Sequence, residues 1–195
     1  MIERKQTSIL ILAAGNSSRL GRPKQSVTFE GKTLLEKTIQ AGKISNAQST
    51  YVVLGFSYNK LMKDLDLSHE FILINEEWNL GMGNSLKYGV SKIMELEPKT
   101  EAIIVSVCDQ PYLSASIFNG LLGRFQGDQK IVASYYSGIQ GVPALFSKTY
   151  FKEILNLQDE SGAKYLLNKY KERVVSVAFE KGEIDIDTPD DLSLL

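Results

Sequence analysis

Six short runs rich in β-branched and aliphatic residues, at 8–13, 50–54, 70–74, 102–107, 130–135 and 174–178, punctuate this chain and read as strands. Most lack polar alternation, so they read as buried on both faces. Stretches with helical periodicity fill the gaps, at 33–43, 58–65, 84–95 and 114–125. The first opens with Thr33-Leu34-Leu35-Glu36, the spacing of a capping box. In 84–95, Leu86, Val90, Ile93 and Met94 fall on one helical face, which is predicted to pack on the sheet. This alternation predicts a three-layer α/β domain with a mostly parallel sheet, right-handed crossovers and ligands at the carboxyl ends of the strands. Residues 138–146, with Gly141 and Pro143, read as a turn and a short strand, which predicts an antiparallel addition.

No repeat, low-complexity tract or long linker divides the chain, so residues 1–195 are predicted to form one domain. At 195 residues and 43% hydrophobic, it can bury roughly 70% of its unfolded surface without metal or disulfide staples. Lys and Arg number 22 against 23 Asp and Glu, a net charge of -1. That leaves no global basic field for wrapping nucleic acid, which is therefore not an expected partner. The sole cysteine, Cys108, excludes an intrachain disulfide and fits a reducing cytoplasm. The apolar run 9–14 is shorter than the roughly 7–15 residues of a secretory core, and no run approaches the ~18 needed for a membrane span. A cytoplasmic protein with no membrane contact is expected.

The most informative segment is Leu12-Ala13-Ala14-Gly15-Asn16-Ser17-Ser18-Arg19-Leu20-Gly21-Arg22-Pro23-Lys24-Gln25. A buried strand ends in small residues, and a Gly/Ser-rich loop then carries Arg19 and Lys24. Small residues let backbone N–H groups approach phosphate oxygens, while the two cations offset their charge. An ordinary βα loop with solvated basic residues is the plainer alternative. The spacings G-x-x-x-x-G-K-[ST] and G-x-G-x-x-G are both absent, which weighs against a P-loop ATPase and a dinucleotide oxidoreductase.

This segment resembles the N-terminal signature of the MobA-like nucleotidyltransferases, L-A-[AG]-G-x-S-x-R-[ML]-G-x-x-K. Four further blocks resemble the family in order: Trp78 to Leu86, Cys108 to Leu113, Gly141 to Phe146, and Asp185 to Leu192. Within the family the set most resembles the molybdenum cofactor cytidylyltransferases. The resemblance implies a three-layer α/β/α, GT-A-like (Rossmann-like) fold. It implies a nucleotide site at Leu12, Ala13, Ala14, Gly15, Asn16, Ser17 and Ser18, with Gly81, Met82, Gly83 and Ser85 near the base.

Asp109 follows a predicted strand, where a carboxylate can hold Mg2+ beside substrate phosphates or merely cap the turn before Pro111. The resemblance assigns it to the metal, with Asp187 as the second carboxylate. Asp185 shares the face of Asp187 along an extended segment and competes with it for that role. Thr188 is predicted to cap a helix with Pro189 at its first position, leaving Asp190 and Asp191 to complement the dipole. The Gly81–Gly83 turn opens a helix whose exposed N–H groups can meet an anion or a base edge. A glycine-permitted helix entry packed on Trp78 and Met82 is an equal reading.

Gly141 and Pro143, with Gln110 and Lys164, resemble the acceptor side of the family's cleft. Lys164 stands where relatives often carry Arg, so its phosphate contact is expected to be less directional. His69, the sole histidine, reads as a surface residue, which removes any His-dependent triad. Cys108, without a base signal nearby, reads as a buried small side chain.

The expected reaction is Mg2+-dependent nucleotidyl transfer from a nucleoside triphosphate, CTP favoured, to a phosphorylated small molecule of molybdopterin type. Lys24, Arg19 and Asp109 are the expected catalytic residues. CTP is expected over GTP because guanylyl-transferring members resemble L-A-G-G where this chain has Ala14, whose methyl would narrow the space beside the base. Transient contact with a molybdoenzyme or chaperone that takes the product is a further expectation. Another acceptor, such as a sugar phosphate, a GTP-using guanylyltransferase, and a catalytically silent nucleotide-binding domain are the alternatives.

Overall fold

The computed structural model describes residues 6–65, 67, 71–126 and 130–195. His69 and the start of the strand expected at 70–74 lie outside these residues. β1 (Thr7–Ala13) is followed by a small hairpin, β2 (Thr28–Phe29) and β3 (Lys32–Thr33), then α1 (Leu34–Lys43), β4 (Ser49–Leu54), α2 (Tyr58–Asp64) and β5 (Ile72–Ile74). The chain continues through α3 (Met82–Leu96), β6 (Ala102–Val107), α4 (Ala115–Arg124) and β7 (Ile131–Tyr136). It ends with β8 (Ile139–Ser147), α5 (Phe151–Leu155), α6 (Ala163–Lys169) and β9 (Val174–Ala178).

The sheet has seven strands in the order β5-β4-β1-β6-β8-β7-β9. β8 runs antiparallel to both its neighbours, and every other pairing is parallel. The expected antiparallel addition is therefore a full nine-residue strand set inside the sheet. It accommodates Pro143 through an irregularity: the register passes from Ala133↔Ala144 to Ser134↔Gly141, so Val142 and Pro143 stand outside the regular ladder. The Val142–Pro143 peptide is cis.

Alternation along β1 sets the three layers. Leu10 and Leu12 face a cluster with Leu86, Val90 and Ile93 of α3, Ile154 of α5 and Leu166 of α6. Ile9, Ile11 and Ala13 face Leu35 of α1, Leu61 of α2 and Phe118 and Leu121 of α4. The expected apolar face of α3 holds except at its end, where Met94 is exposed. The capping box at α1 forms as read: Thr33 Oγ1 accepts from the Glu36 N–H at 3.2 Å, and Glu36 Oε2 accepts from the Thr33 N–H at 2.8 Å. The Thr33 hydroxyl, which also donates to Glu36 Oε2, and then the Thr33 N–H hold the Glu36 carboxyl below its ordinary range.

The strand order reverses between β1 and β6, the crevice where open α/β sheets bind ligands. A third, smaller cluster of Leu20, Val27, Leu34 and Ile186 lies beside it. It fastens the loop after β1 and the C-terminal segment to the start of α1. Among the described residues no helix is long and apolar enough to cross a membrane.

Candidate active site

The loop after β1 leaves the sheet at Ala14 and returns in the 3-10 turn Lys24–Ser26. Leu20 and Gly21 both donate their N–H groups to Ser17 O, at 3.0 and 3.2 Å, and Lys24 N–H donates to Ser17 Oγ at 3.1 Å. Ser17 takes a left-handed φ of 51° to make this turn. Ser18 N–H donates to Asn16 Oδ1 at 3.2 Å. The side chains of Ala13 and Ala14 are buried, and Ala14 packs in the cluster with Leu10, Tyr51 and Leu86. This corrects the expectation that the Ala14 methyl narrows a base pocket: it is spent in the core, and Ala13 and Ala14 can meet a nucleotide through backbone alone. Leu12, Arg19 and Lys24 line the cleft.

Lys24 is the centre of the site. Its Nζ donates to Asp109 Oδ2 at 2.6 Å and to Asp187 Oδ1 at 2.5 Å, while Arg19 Nη2 reaches the other oxygen of Asp187 at 2.9 Å. Residues 163 positions apart thus meet over the crevice. Lys24 is 19% exposed and sequestered in a charge triad. Burial works against its ammonium, but Asp109 and Asp187 outweigh that and raise its pKa. Asp185 lines the same cleft; desolvation first, then the charges of Asp109 and Asp187, raise its carboxyl. Asp187, not Asp185, shares the ammonium with Asp109.

Asp187 is held from behind. The Ile186 N–H donates to Asp109 O at 3.0 Å, and the Ile186 side chain is wholly buried, which turns its two acidic neighbours toward the cleft. Asp191 Oδ2 accepts from the N–H groups of Asp187 at 3.0 Å and Thr188 at 2.7 Å, and from Thr188 Oγ1 at 2.9 Å. The expected cap is therefore reversed: Thr188 donates and Asp191 accepts, ahead of a 3-10 turn over Asp190–Leu194. The two backbone N–H groups hold the Asp191 carboxyl below its ordinary value. The signal for this brace was the Thr188-Pro189-Asp190-Asp191 spacing, that of a capping box, in which the acid accepts from the N–H of the capping residue.

The two glycines of the Gly81–Gly83 turn make room for the chain itself. A Cβ on Gly81 would lie 2.4 Å from Asp159 O, and one on Gly83 would lie 2.2 Å from Gln158 O. The Asn84 N–H, one of those expected to be free at the helix start, donates to Asp159 O at 3.2 Å. Asn75 Nδ2 donates to Asn84 Oδ1 and Ser85 Oγ at 3.0 and 3.1 Å, and Ser85 is buried. Lys87 pairs with Asp159 at 2.8 Å. Met82, 55% exposed, projects into the cleft beside Gly162.

The cleft has a volume of about 530 Å³ and runs from Lys24 and Asp109 to Gly141 and Lys164. Lys164 is exposed at the first turn of α6 and lines the cleft. Gln110 lines it too and is buried, with its amide nitrogen engaged: Nε2 donates to Gly182 O at 2.7 Å and Val142 O at 3.3 Å. Pro143 is buried, and its carbonyl accepts from Ser134 Oγ at 2.9 Å. A Cβ on Gly141 would lie 2.1 Å from the Tyr136 hydroxyl, so that glycine serves packing. Tyr136 and Ile139 also line the cleft and were not anticipated. Their signal was the Ser137-Gly138 hairpin turn, with φ of 45° and 80°. Cys108 is buried, and desolvation, then the Asp109 charge, push its thiol up to about 12, as fits a small side chain spent in the core.

A small-residue loop over a lysine clasped by two carboxylates, at the reversal point of a parallel sheet, has the parts of a phosphate-handling transferase site. The chain belongs to the MobA-like NTP transferase family, whose model matches residues 9–174. It is similar to the purine catabolism protein PucB of Bacillus subtilis, 25% identical with 95% of this chain and 94% of the relative covered. It is also similar to the molybdenum cofactor cytidylyltransferase of Escherichia coli, 29% identical over 93% of this chain and 91% of that one. A solved homologue of Mycobacterium tuberculosis Rv0371c, from Mycobacterium sp. strain JC1, superposes with a TM-score of 0.83, at 27% identity, over 96% of this chain and 93% of that chain. Rv0371c itself, solved as a complex with manganese, shares the fold with a TM-score of 0.76 at 21% identity, over 98% of each chain. The protein is thus a nucleotidyltransferase of this family, with the three-layer α/β/α fold expected.

Proposed function

We propose that the protein transfers a nucleoside monophosphate, with CTP as the favoured donor, to a phosphate on a molybdopterin-type acceptor and releases pyrophosphate. The observation that carries this reading is the Lys24 ammonium held between Asp109 and Asp187. Two carboxylates sharing one cation are a donor set of the right charge and oxygen chemistry for Mg2+, which takes one or two carboxylates and completes its shell with water and phosphate. When bound there, the ion would supply Lewis-acid stabilisation of charge on the reacting phosphate oxygens. A phosphate oxygen of the acceptor attacks the α-phosphorus, the bond to the β-phosphate oxygen breaks, and the electron pair leaves with pyrophosphate. Lys24 and Arg19, from the loop side, offset the charge that grows on the leaving group. An acceptor phosphate is already ionised at neutral pH, so no base is required. Lys164 lines the cleft, and in this reading its ammonium meets the acceptor's anionic end.

The preference for CTP rests on likeness to the Escherichia coli cytidylyltransferase and on no contact of the Ala14 methyl. A cytoplasmic enzyme that passes its product to a molybdoenzyme or chaperone completes the reading. The test is pyrophosphate release from CTP, GTP, ATP and UTP, with and without Mg2+, against molybdopterin and a panel of sugar phosphates. Mg2+-dependent release from CTP with molybdopterin is expected. Turnover of GTP in preference would make the protein a guanylyltransferase, and turnover only with a sugar phosphate would replace the acceptor.

A further inference from the structure

Gln25 follows Lys24 in the sequence but turns away from the cleft and is 1% exposed. Its Nε2 donates to Ala13 O at 2.7 Å and to Gly15 O at 3.1 Å. The intervening carbonyl, Ala14 O, accepts from the Phe56 N–H at 3.0 Å. Three successive carbonyls at the start of the loop are therefore tied back into the protein body. In a planar trans peptide the N–H points opposite the C=O, so this tethering turns the N–H groups of Gly15 and Asn16 away from those anchors. Both residues are exposed, and a Cβ on Gly15 would meet nothing within 4 Å, so a ligand can come close.

We propose that Gln25 is a positioning residue that fixes which face of the Ala13–Ala14 and Gly15–Asn16 peptides meets the triphosphate, while the Phe56 N–H fixes the peptide between them. The peptide after a glycine flips easily, and a flip here would present carbonyl oxygens where phosphate oxygens must sit. Two hydrogen bonds from one buried amide hold donors outward and acceptors inward. The other atom of that amide, Oε1, is buried without a partner among the described residues. A Leu or Met would fill the same space and bury no unpaired oxygen, so the two N–H groups are what the position uses. This inference rests on the loop being the triphosphate site, as proposed above.

The test uses Mg2+ with CTP, and separately inorganic tripolyphosphate, which has no base to recognise. Gln25→Met is expected to weaken binding of both about tenfold by calorimetry, the scale of the lost hydrogen bonds, while KM for the acceptor stays within twofold. A residue that only supported the core would lower Tm and leave both affinities of the folded protein unchanged, and that result would overturn the proposal. A mutation-free arm applies if the variant does not fold. In the wild-type protein, tripolyphosphate is expected to shift the Gly15 and Asn16 amide resonances while the Gln25 side-chain N–H signals stay protected from exchange. Unmoved Gly15 and Asn16 amides on a protein that binds tripolyphosphate would equally overturn it. A wild-type protein that binds neither CTP nor tripolyphosphate would instead remove the triphosphate reading itself.

Discussion

Two glycine-bearing turns, one after β1 and one at the start of α3, use the residue for opposite purposes. Gly15 stands in open space, with an ordinary φ and nothing near the position of a Cβ. Gly81 and Gly83 are pressed against the carbonyls of Asp159 and Gln158, and Gly81 has a φ of 134°. The first glycine leaves room for something that is not protein. The other two leave room for the chain itself, which interlocks the start of α3 with the loop before α6. Function and packing ask for the same letter in the sequence, and only the neighbours tell them apart.

The largest effect is expected on the packed side. Gly83→Ala would drive a methyl into three backbone carbonyls at 2.2 to 2.9 Å, none of which can rotate away as a side chain would. A loss of about 3 kcal/mol in urea unfolding is expected, at the upper end of overpacking costs. A variant within 0.5 kcal/mol of wild type, the roughly neutral band for surface changes, would show that the two turns are not distinct in kind.

Lys24→Ala tests the open side, where chemistry rather than packing is at stake. Turnover should fall at least about a hundredfold, near 2.7 kcal/mol of lost charge stabilisation. The triad adds a second expectation: without the ammonium, Asp109 and Asp187 face each other with only the exposed Arg19 left to offset their charge. In metal-free buffer the variant should melt below wild type, and added Mg2+ should narrow the gap. A folded Lys24→Ala protein with near-normal turnover would remove Lys24 from the reaction.

The contrast also explains what the sequence made legible. Buried β-branched runs and the Thr33–Glu36 box exposed the layers because local patterning and tertiary role agree there. Lys24, Asp109 and Asp187 stood out because their types and order match a family signature. α5, at five residues, is too short to show a periodic face, and the length of β8 was hidden by Gly141 and Pro143. Gln25 and Asp159 meet backbone groups that no spacing announces, whereas Asp191 stands three residues after Thr188, the same spacing as the Thr33–Glu36 box. Ala14 was misread for the same reason: its letter is visible, but the direction of its methyl is not.

Asp191 and Asp190 extend the comparison to the carboxylate side, since adjacent acids were read alike and are placed differently. Asp191→Asn should weaken Mn2+ binding about tenfold by loosening the brace behind Asp187, whereas exposed Asp190→Asn should leave it unchanged. Because the native Asp191 pKa is depressed, the brace is intact above the ordinary carboxylate range and is lost as pH falls through that lowered value. Equal effects from the two variants, read by Mn2+ electron paramagnetic resonance, would show that the brace does not matter.

The smallest effect on stability, and the sharpest on meaning, is expected from Gly15→Ala. Its backbone is outside the left-handed region, so alanine fits without strain, and the added methyl meets no protein atom within 4 Å. Restricting the unfolded chain should then raise stability by about 0.4–1 kcal/mol. The methyl nevertheless occupies space left for phosphate oxygens, so KM for the triphosphate should rise, by about tenfold if it displaces one backbone contact. Stability and binding should therefore move in opposite directions, which no packing glycine can produce. Calorimetric Tm and triphosphate KM measured on one preparation decide it: if both worsen together, Gly15 is a packing glycine like Gly83, and the open half of the comparison is lost.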